Sequence, residues 1–180
     1  MFVKTQSIFA IALSILIFSC AGKEENQKVD TEAKSNAENK YSVSLKDAAE
    51  KFSKAEHDHD SNSFFTYIDS NFAVTARGQT HVVQSSQFAG FKQSMTNEFT
   101  DTAMIITTTY DIKETQAGSV EPVWAGYDKG MVTQTAISKD GKYNRKITGP
   151  YFRAWKLDNG QWKCYEVVYM AFTCEGNDCK

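Results

Sequence analysis

The sequence predicts an α+β domain in which three helices precede a strongly bent antiparallel sheet. Between Ser44 and Phe99, apolar residues recur mostly at spacings of three and four, which is typical of amphipathic helices. From residue 103 onward the pattern alternates and β-branched and aromatic residues accumulate, as in strands. Turn sequences at 139–142 and 158–160 predict hairpins between these strands. Helices followed by a run of strands indicate an α+β layer structure, with the helices on one face of the sheet.

The three predicted helices follow from the spacing of their apolar residues. The first begins at Ser44, where an acidic residue three positions later resembles a capping box, and ends at about Glu56. Its apolar face is Leu45, Ala48, Ala49, Phe52 and Ala55. The second helix is short and lies around residues 64–68. The third spans residues 86–99.

Four strands are predicted after the helices, over residues 103–113, 131–138, 143–156 and 161–172. A less regular segment at 120–127 contains Pro122, which favours the edge or the start of a strand. A further short extended segment containing Phe72 and Val74 leads into a turn at residues 77–79.

Residues 1–19 are predicted to be a signal peptide. The apolar run at 8–18 has eleven residues and would rise about 16 Å as a helix, short of the roughly 30 Å needed to span a bilayer. Ile17 and Ser19 before Cys20 resemble a bacterial lipobox, which implies lipidation of the Cys20 thiol. Because Ala21 is not Asp, we expect a lipid-anchored protein of the bacterial cell envelope, at the outer membrane, with the membrane as a partner through that anchor.

The rest of the chain divides into a tether, a domain and a tail. Residues 20–43 are highly charged with few large apolar side chains, which predicts a flexible tether behind the lipidated cysteine. The folded domain is expected over residues 44–173 and a C-terminal tail over 174–180.

Charge and ligand chemistry exclude several function classes. A net charge of −2 and a pI of about 5.9 offer no clustered basic face, so no nucleic-acid partner is expected. The His57-x-His59 segment with its neighbouring aspartates has metal-ligand chemistry, but only His81 is available as a further histidine. We therefore predict neither a metal nor another cofactor.

The closing hairpin carries a family resemblance. Residues 151–167, YFRAWKLDNGQWKCYEV, resemble the last hairpin of SnoaL-like, ketosteroid-isomerase-like domains, a group also called nuclear transport factor two-like (NTF2-like). The resemblance extends over residues 44–172. It implies a cone-shaped sheet curled around a helix (a cystatin-like α+β roll), a pocket at the open end and homodimerisation through the outer sheet face. It does not imply one activity, because such folds serve isomerases, cyclases, dehydratases and binders. The position of the isomerases' general base falls at Thr75, which disfavours steroid isomerisation.

Glu166 and Arg153 are the candidate catalytic pair. Strict alternation along the last strand places Trp162, Cys164 and Glu166 on one face. In the resembled family the counterpart of Trp162 faces the cone interior, which would bring Glu166 inside with Arg153 as its cation. The pair could then anchor a ligand, act as acid and base, or be purely structural.

Aromatic residues on the predicted strands supply a candidate ligand pocket. Its proposed lining is Tyr110, Trp124, Tyr127 and Trp155 together with Glu166. The same aromatic residues would equally serve as core or dimer surface.

The remaining cysteines suggest one disulfide. Cys174 and Cys179 enclose four residues, and an envelope compartment permits a bridge between them. Cys164 is then a buried thiol, with a bridge from Cys164 to either of the other two as the alternative.

The sequence thus favours an envelope lipoprotein that binds a small apolar or amphipathic molecule without turning it over. An enzyme using Glu166 or a helix-borne histidine is the first alternative. A protein-interaction domain of the envelope is the second.

Overall fold

The computed structural model describes residues 27–118 and 122–179. The helices are α1 (Gln27–His57), α2 (Ser61–Thr66) and α3 (Phe88–Thr100), with a 3-10 turn at Ser85–Gln87. The strands are β1 (Ile68–Ala76), β2 (Gln79–Val83), β3 (Met104–Ala117), β4 (Ala125–Ser138), β5 (Asn144–Asp158), β6 (Gln161–Tyr169) and β7 (Thr173–Gly176). The predicted signal peptide and the lipidation site at Cys20 lie outside the described residues.

The strands form one curved, unclosed sheet in the order β2-β1-β6-β5-β4-β3, with β7 added beside β5. The α+β class and its cone-like sheet are confirmed. The sheet is mixed rather than wholly antiparallel, because β1 runs parallel to β6. The β1–β2 hairpin comes between α2 and α3, so β1 reaches the sheet through a crossover rather than a tight turn.

Helix α1 begins at Gln27 rather than at the predicted Ser44, so it extends into the segment for which a tether was predicted, residues 20–43. The physical reason is the helix propensity of this stretch of the sequence. This stretch is rich in Ala, Lys and Glu, and no Gly or Pro occurs between Gly22 and Gly78 to end a helix. The predicted apolar face starting at Leu45 therefore marks where α1 meets the sheet, not where the helix starts.

The core lies between α1, α2 and the inner face of the sheet. The buried apolar side chains of α1 are the predicted ones: Leu45, Ala48, Ala49, Phe52 and Ala55. They pack against Trp155, Trp162, Cys164 and Val167 of the sheet and against Phe64 and Phe65 of α2. Helix α3 has no buried residue. Its half-buried aromatic side chains pack against the core described above.

The end of the chain is more ordered than a tail. Strand β7 pairs with the first half of β5, from Thr148↔Thr173 to Arg145↔Gly176. Cys174 and Cys179 are joined by a disulfide, and Cys164 is a buried free thiol. No helix among the described residues is long and apolar enough to cross a membrane.

Candidate functional site

A cavity of about 180 Å³ lies inside the cone, between α1, α3 and the sheet. Its walls are mainly aromatic because the apolar faces of α2, α3 and β1 converge there. The apolar and aromatic lining is Phe52, Phe64, Phe72, Val74, Phe91, Met95, Phe99, Ile106, Tyr110, Val167 and Tyr169. Ring-to-ring contacts fix this wall, including stacked Phe72 and Phe91 at 5.9 Å between centroids and edge-on Phe64 and Phe99 at 5.4 Å.

Glu56 is the central polar group of the cavity. It lies in the last turn of α1, four residues after Phe52, so the helix places its carboxylate on the same inward face. The Tyr110 hydroxyl donates to Glu56 Oε2 at 3.0 Å and lies 2.9 Å from the Tyr169 hydroxyl. Glu56, Tyr110 and Tyr169 therefore form a chain of hydrogen-bonding groups along the cavity wall, which we call the Glu56 relay.

Burial raises the pKa of Glu56 above its ordinary value of 4.5, because the ionised form loses water. The Tyr110 hydrogen bond and the Arg153 charge lower it in part, while the Glu98 charge raises it further. Burial also raises the pKa of Tyr110 and of Tyr169, and the Glu56 charge adds to both shifts. Both phenols therefore stay protonated at neutral pH and act as hydrogen-bond donors.

Four further polar side chains line the cavity. Glu98 comes from α3 and is exposed, so it stands where the cavity meets solvent. Gln134 donates to the Thr108 hydroxyl at 3.3 Å. His59 has a left-handed backbone, stacks on Phe99 and has its Nε2 2.5 Å from the Ile106 carbonyl oxygen. If Nε2 carries the proton of a neutral ring, Nδ1 is left as an acceptor.

A fully buried ionic cluster lies behind the Glu56 relay. Arg153 and Asp128 are both 0% exposed and form a salt bridge at 2.7 Å. The Asp128 carboxylate also accepts hydrogen bonds from the Tyr151 hydroxyl at 2.7 Å and the Trp155 indole at 2.6 Å. The Arg153 guanidinium lies 4.5 Å from the Tyr110 ring centroid, so the cluster supports the cavity wall without lining it.

The predicted partnership of Arg153 with Glu166 is wrong, because Glu166 lies on the outer face of the sheet. The cause is a β-bulge. Trp155 pairs with Cys164 but Ala154 pairs with Glu166, which leaves Tyr165 without a partner on β5. The extra residue shifts the alternation by one, so Val167 rather than Glu166 points into the cone. Glu166 instead borders a shallow outer groove.

Of the predicted pocket aromatics, Tyr110 lines the cavity and three others do not. Trp155 is wholly buried in the core, where its indole N–H donates a hydrogen bond to Asp128. Tyr127 is on the outer face, stacked on Phe152 and donating to Gln116 Oε1 at 2.8 Å. Trp124 is 70% exposed, next to the undescribed residues 119–121. Sequence alternation does not distinguish these positions, since bulges in β3 and in the β5–β6 pair change which residues face inward.

The two histidines of the His57-x-His59 segment each contact a backbone carbonyl of β3, and His59 also lines the cavity. His57 Nδ1 lies 3.0 Å from the Thr108 carbonyl, two residues along β3 from the Ile106 carbonyl that binds His59. Among the described residues, no group of three or more His, Cys, Asp or Glu side chains is placed to hold a metal ion. The segment therefore fastens the end of α1 to β3.

Sequence reasoning missed Glu56, although a signal for it exists. Glu56 continues the apolar face of α1 at the i+4 position after Phe52, where a carboxylate is out of place unless it faces a cavity or a partner. Glu98 and Gln134 carry no comparable signal, because their place at the cavity depends on how α3 and β4 cross the cone.

Comparisons with solved structures identify the fold. A protein from Novosphingobium aromaticivorans, provisionally named scytalone dehydratase, aligns at a TM-score of 0.59 with 10% identity, over 84% of this chain and 93% of that one. An NTF2-like protein of unknown function from Shewanella oneidensis aligns at 0.50 with 12% identity, over 71% and 96%. The fold is NTF2-like. A ketosteroid isomerase-like protein from Erwinia carotovora shares this NTF2-like fold, at 0.55 with 12% identity over 74% and 98%.

These structural alignments establish the NTF2-like fold, and sequence identities of 10–12% leave the activity open. No protein-family model and no curated protein matches the sequence.

Proposed function

We propose that this protein is a lipid-anchored envelope protein whose cone cavity binds a small, mostly apolar molecule with one polar group. The proposal is based on the cavity, whose lining combines aromatic side chains with the carboxylate of Glu56. Ligand sites typically have this composition, with a few convergent polar groups in an apolar pocket.

The size of the cavity limits the ligand. A cavity of roughly 150 Å³ holds benzene, whereas drug-sized ligands occupy about 300–1,000 Å³. The cavity of about 180 Å³ therefore suits a single ring with a short substituent. The polar substituent would meet Glu56 or the Tyr169 hydroxyl, and the ring would contact the phenylalanines.

Native mass spectrometry of the protein purified from its own envelope tests binding. Val74→Phe adds a ring inside the cavity, whereas Val82→Phe adds the same ring on β2 at a position 59% exposed. We expect a bound small molecule on the wild type and on Val82→Phe, and none on Val74→Phe. Circular dichroism verifies that both variants fold, and Met95→Trp fills the cavity from α3 if Val74→Phe does not. The absence of any bound molecule, or its retention by both cavity-filling variants, would contradict the proposal.

The envelope anchor is proposed from the sequence around Cys20 and has its own test. Metabolic labelling with palmitate should mark the wild type, and Cys20→Ser should abolish the label. Cys164→Ser is the matched control, because Cys164 is buried in the domain. Labelling that survives Cys20→Ser would refute the anchor.

Acid–base catalysis is the second candidate, and Glu56 takes the role that the sequence had suggested for Glu166. A carboxyl group with a raised pKa, hydrogen-bonded to a phenol inside a cavity, has the properties of a proton donor or acceptor. Once the bound molecule is known, Glu56→Gln separates the two functions. Retained binding with lost turnover indicates an enzyme, and an absence of turnover in the wild type indicates a binder.

The outer face of the sheet supports the proposed homodimer. It exposes Ile105, Met131 and Ile137, and Ile105 pairs directly with Ile137. If this face associates, Ile137→Lys should convert a dimer to a monomer in light scattering. A monomeric wild type would refute the dimer.

A further inference from the structure

The charges that face the cavity have one sign. Glu56 lies within it and Glu98 at its entrance, and no Lys or Arg is among the described residues that line it. Both side chains line the same cavity, and the Glu98 charge is one of the causes that raise the pKa of Glu56. His59, with its Nε2 on a backbone carbonyl, is the remaining basic group of the lining.

The Arg153 charge lowers the pKa of Glu56, so Arg153 offsets these carboxylates only in part. Arg153 stands behind the Tyr110 ring, and Asp128 matches its charge with contacts of 2.7 Å to 3.1 Å from two guanidinium nitrogens. Arg153 and Asp128 together contribute no net charge. The carboxylic side chains that line the cavity, Glu56 and Glu98, are therefore not matched by a cation among the described residues of its lining.

The walls also favour positive charge. Aromatic rings present a negative face, and a cation within about 6 Å of a ring centroid is attracted to it. The cavity is bordered by seven such rings: Phe52, Phe64, Phe72, Phe91, Phe99, Tyr110 and Tyr169. Aromatic rings and carboxylates around one cavity are a combination that recognises an organic ammonium group.

We propose that the cavity selects a small arylalkylamine in its cationic form, with the ammonium group at the carboxylates of Glu56 and Glu98 and the ring among the phenylalanines. This inference rests on the proposed binding function and narrows its ligand class. A bound ammonium would relieve the repulsion between the two carboxylates and would donate hydrogen bonds to both. A neutral or anionic ligand of the same shape gains neither effect.

The pH dependence follows from the groups that face the ammonium. These are Glu56, Glu98, His59 and the phenols of Tyr110 and Tyr169. An alkylamine stays cationic to about pH 9–10, as lysine does. Binding of the amine should therefore strengthen as the pH rises from 5 to 8 and Glu56 ionises, because burial raises the pKa of Glu56 above its ordinary value. Binding of a neutral isostere should change little.

Three isosteric probes test the inference by calorimetry on the full chain: benzylamine, benzyl alcohol and benzoate. We expect benzylamine to bind about tenfold more tightly than benzyl alcohol at pH 8, and benzoate to bind weakest. Glu98→Gln and Glu56→Gln should each reduce the preference for the amine. Glu50→Gln is the control. Glu50 lies on α1, as Glu56 does, but its side chain is exposed and paired with Lys46.

The outcomes separate this inference from the proposed function. Equal or tighter binding of benzyl alcohol, blocked by Val74→Phe, would overturn the amine preference and leave a ligand-binding cavity intact. An amine preference that Glu50→Gln reduces as much as Glu98→Gln would also overturn it, since general surface charge would then be the cause. If none of the three probes binds, the amine preference is overturned. If, in addition, no small molecule co-purifies with the wild type from its envelope, the proposed binding function is overturned as well.

Discussion

Replacing Asp128 by Asn removes the negative charge that balances Arg153 in the core while keeping the side chain's size. Both residues are 0% exposed, so solvent cannot take over the role of the carboxylate. Asp128 accepts hydrogen bonds from Arg153, Tyr151 and Trp155. An amide supplies one oxygen instead of two and turns an N–H donor toward these donors.

The expected magnitude follows from this burial. Breaking a buried ion pair by removing one partner costs about 3–5 kcal/mol, because the remaining charge is left uncompensated. For a chain of this size that corresponds to a fall in Tm of about 6–20 °C. Tyr151→Phe removes a single hydrogen bond to Asp128 and should cost only about 1–2 kcal/mol. Glu175→Gln is the exposed control: its pair with Lys146 at 3.5 Å is worth about 0–1 kcal/mol.

Urea unfolding followed by tryptophan fluorescence measures all three variants, with the free energy of unfolding taken from the midpoint and the slope. The expected order of destabilisation is Asp128→Asn, then Tyr151→Phe, then Glu175→Gln. A loss below about 1 kcal/mol for Asp128→Asn would contradict a structural role for the buried pair, because it would mean that Arg153 finds water or another partner in the core.

Three other perturbations have defined outcomes. Because the folded-state pKa of Glu56 is raised above 4.5, the native state binds its proton more tightly than the unfolded state does, and wild-type stability relative to Glu56→Gln should fall as pH rises through the window above 4.5. Urea titrations at pH 4.5, 6 and 8 measure this, and a difference that is constant with pH would contradict it. Gly130→Ala would bring a Cβ to 2.0 Å from the Asp111 carbonyl oxygen and should cost about 1–3 kcal/mol by thermal unfolding. Gly90→Ala, which meets nothing within 4 Å, should instead gain about 0.5–1 kcal/mol, and similar effects of the two would count against the close packing of β3 on β4. Cys174→Ser opens a short disulfide loop and should cost about 2 kcal/mol by the chain-entropy model, with no effect expected on ligand binding.

The class of fold and the apolar face of α1 could be predicted from local patterns. Helical spacing identified Leu45 and Phe52 as core residues because an amphipathic helix has a fixed period of 3.6 residues. The hairpins at 139–142 and 158–160 were likewise set by their turn residues. The parallel pairing of β1 with β6 could not be predicted from local patterns, since β2, α3 and strands β3 to β5 lie between the two strands in the sequence.

The candidate site was harder to predict for a specific reason. The side chains of a strand alternate with a period of two, so one inserted residue exchanges the inner and outer faces. The bulge at Tyr165 moved Glu166 to the outer groove and brought Val167 inward. Glu56 could have been identified, because a carboxylate on the apolar face of a helix needs a partner or a cavity.

A crystal structure of the protein bound to its co-purified molecule, or to benzylamine, is the decisive test of ligand binding in the cone. We expect density inside the cone, in contact with Phe72 and Phe91, with its polar group within hydrogen-bond distance of Glu56. Density in the outer groove beside Glu166, or a cone filled by its own side chains, would contradict it.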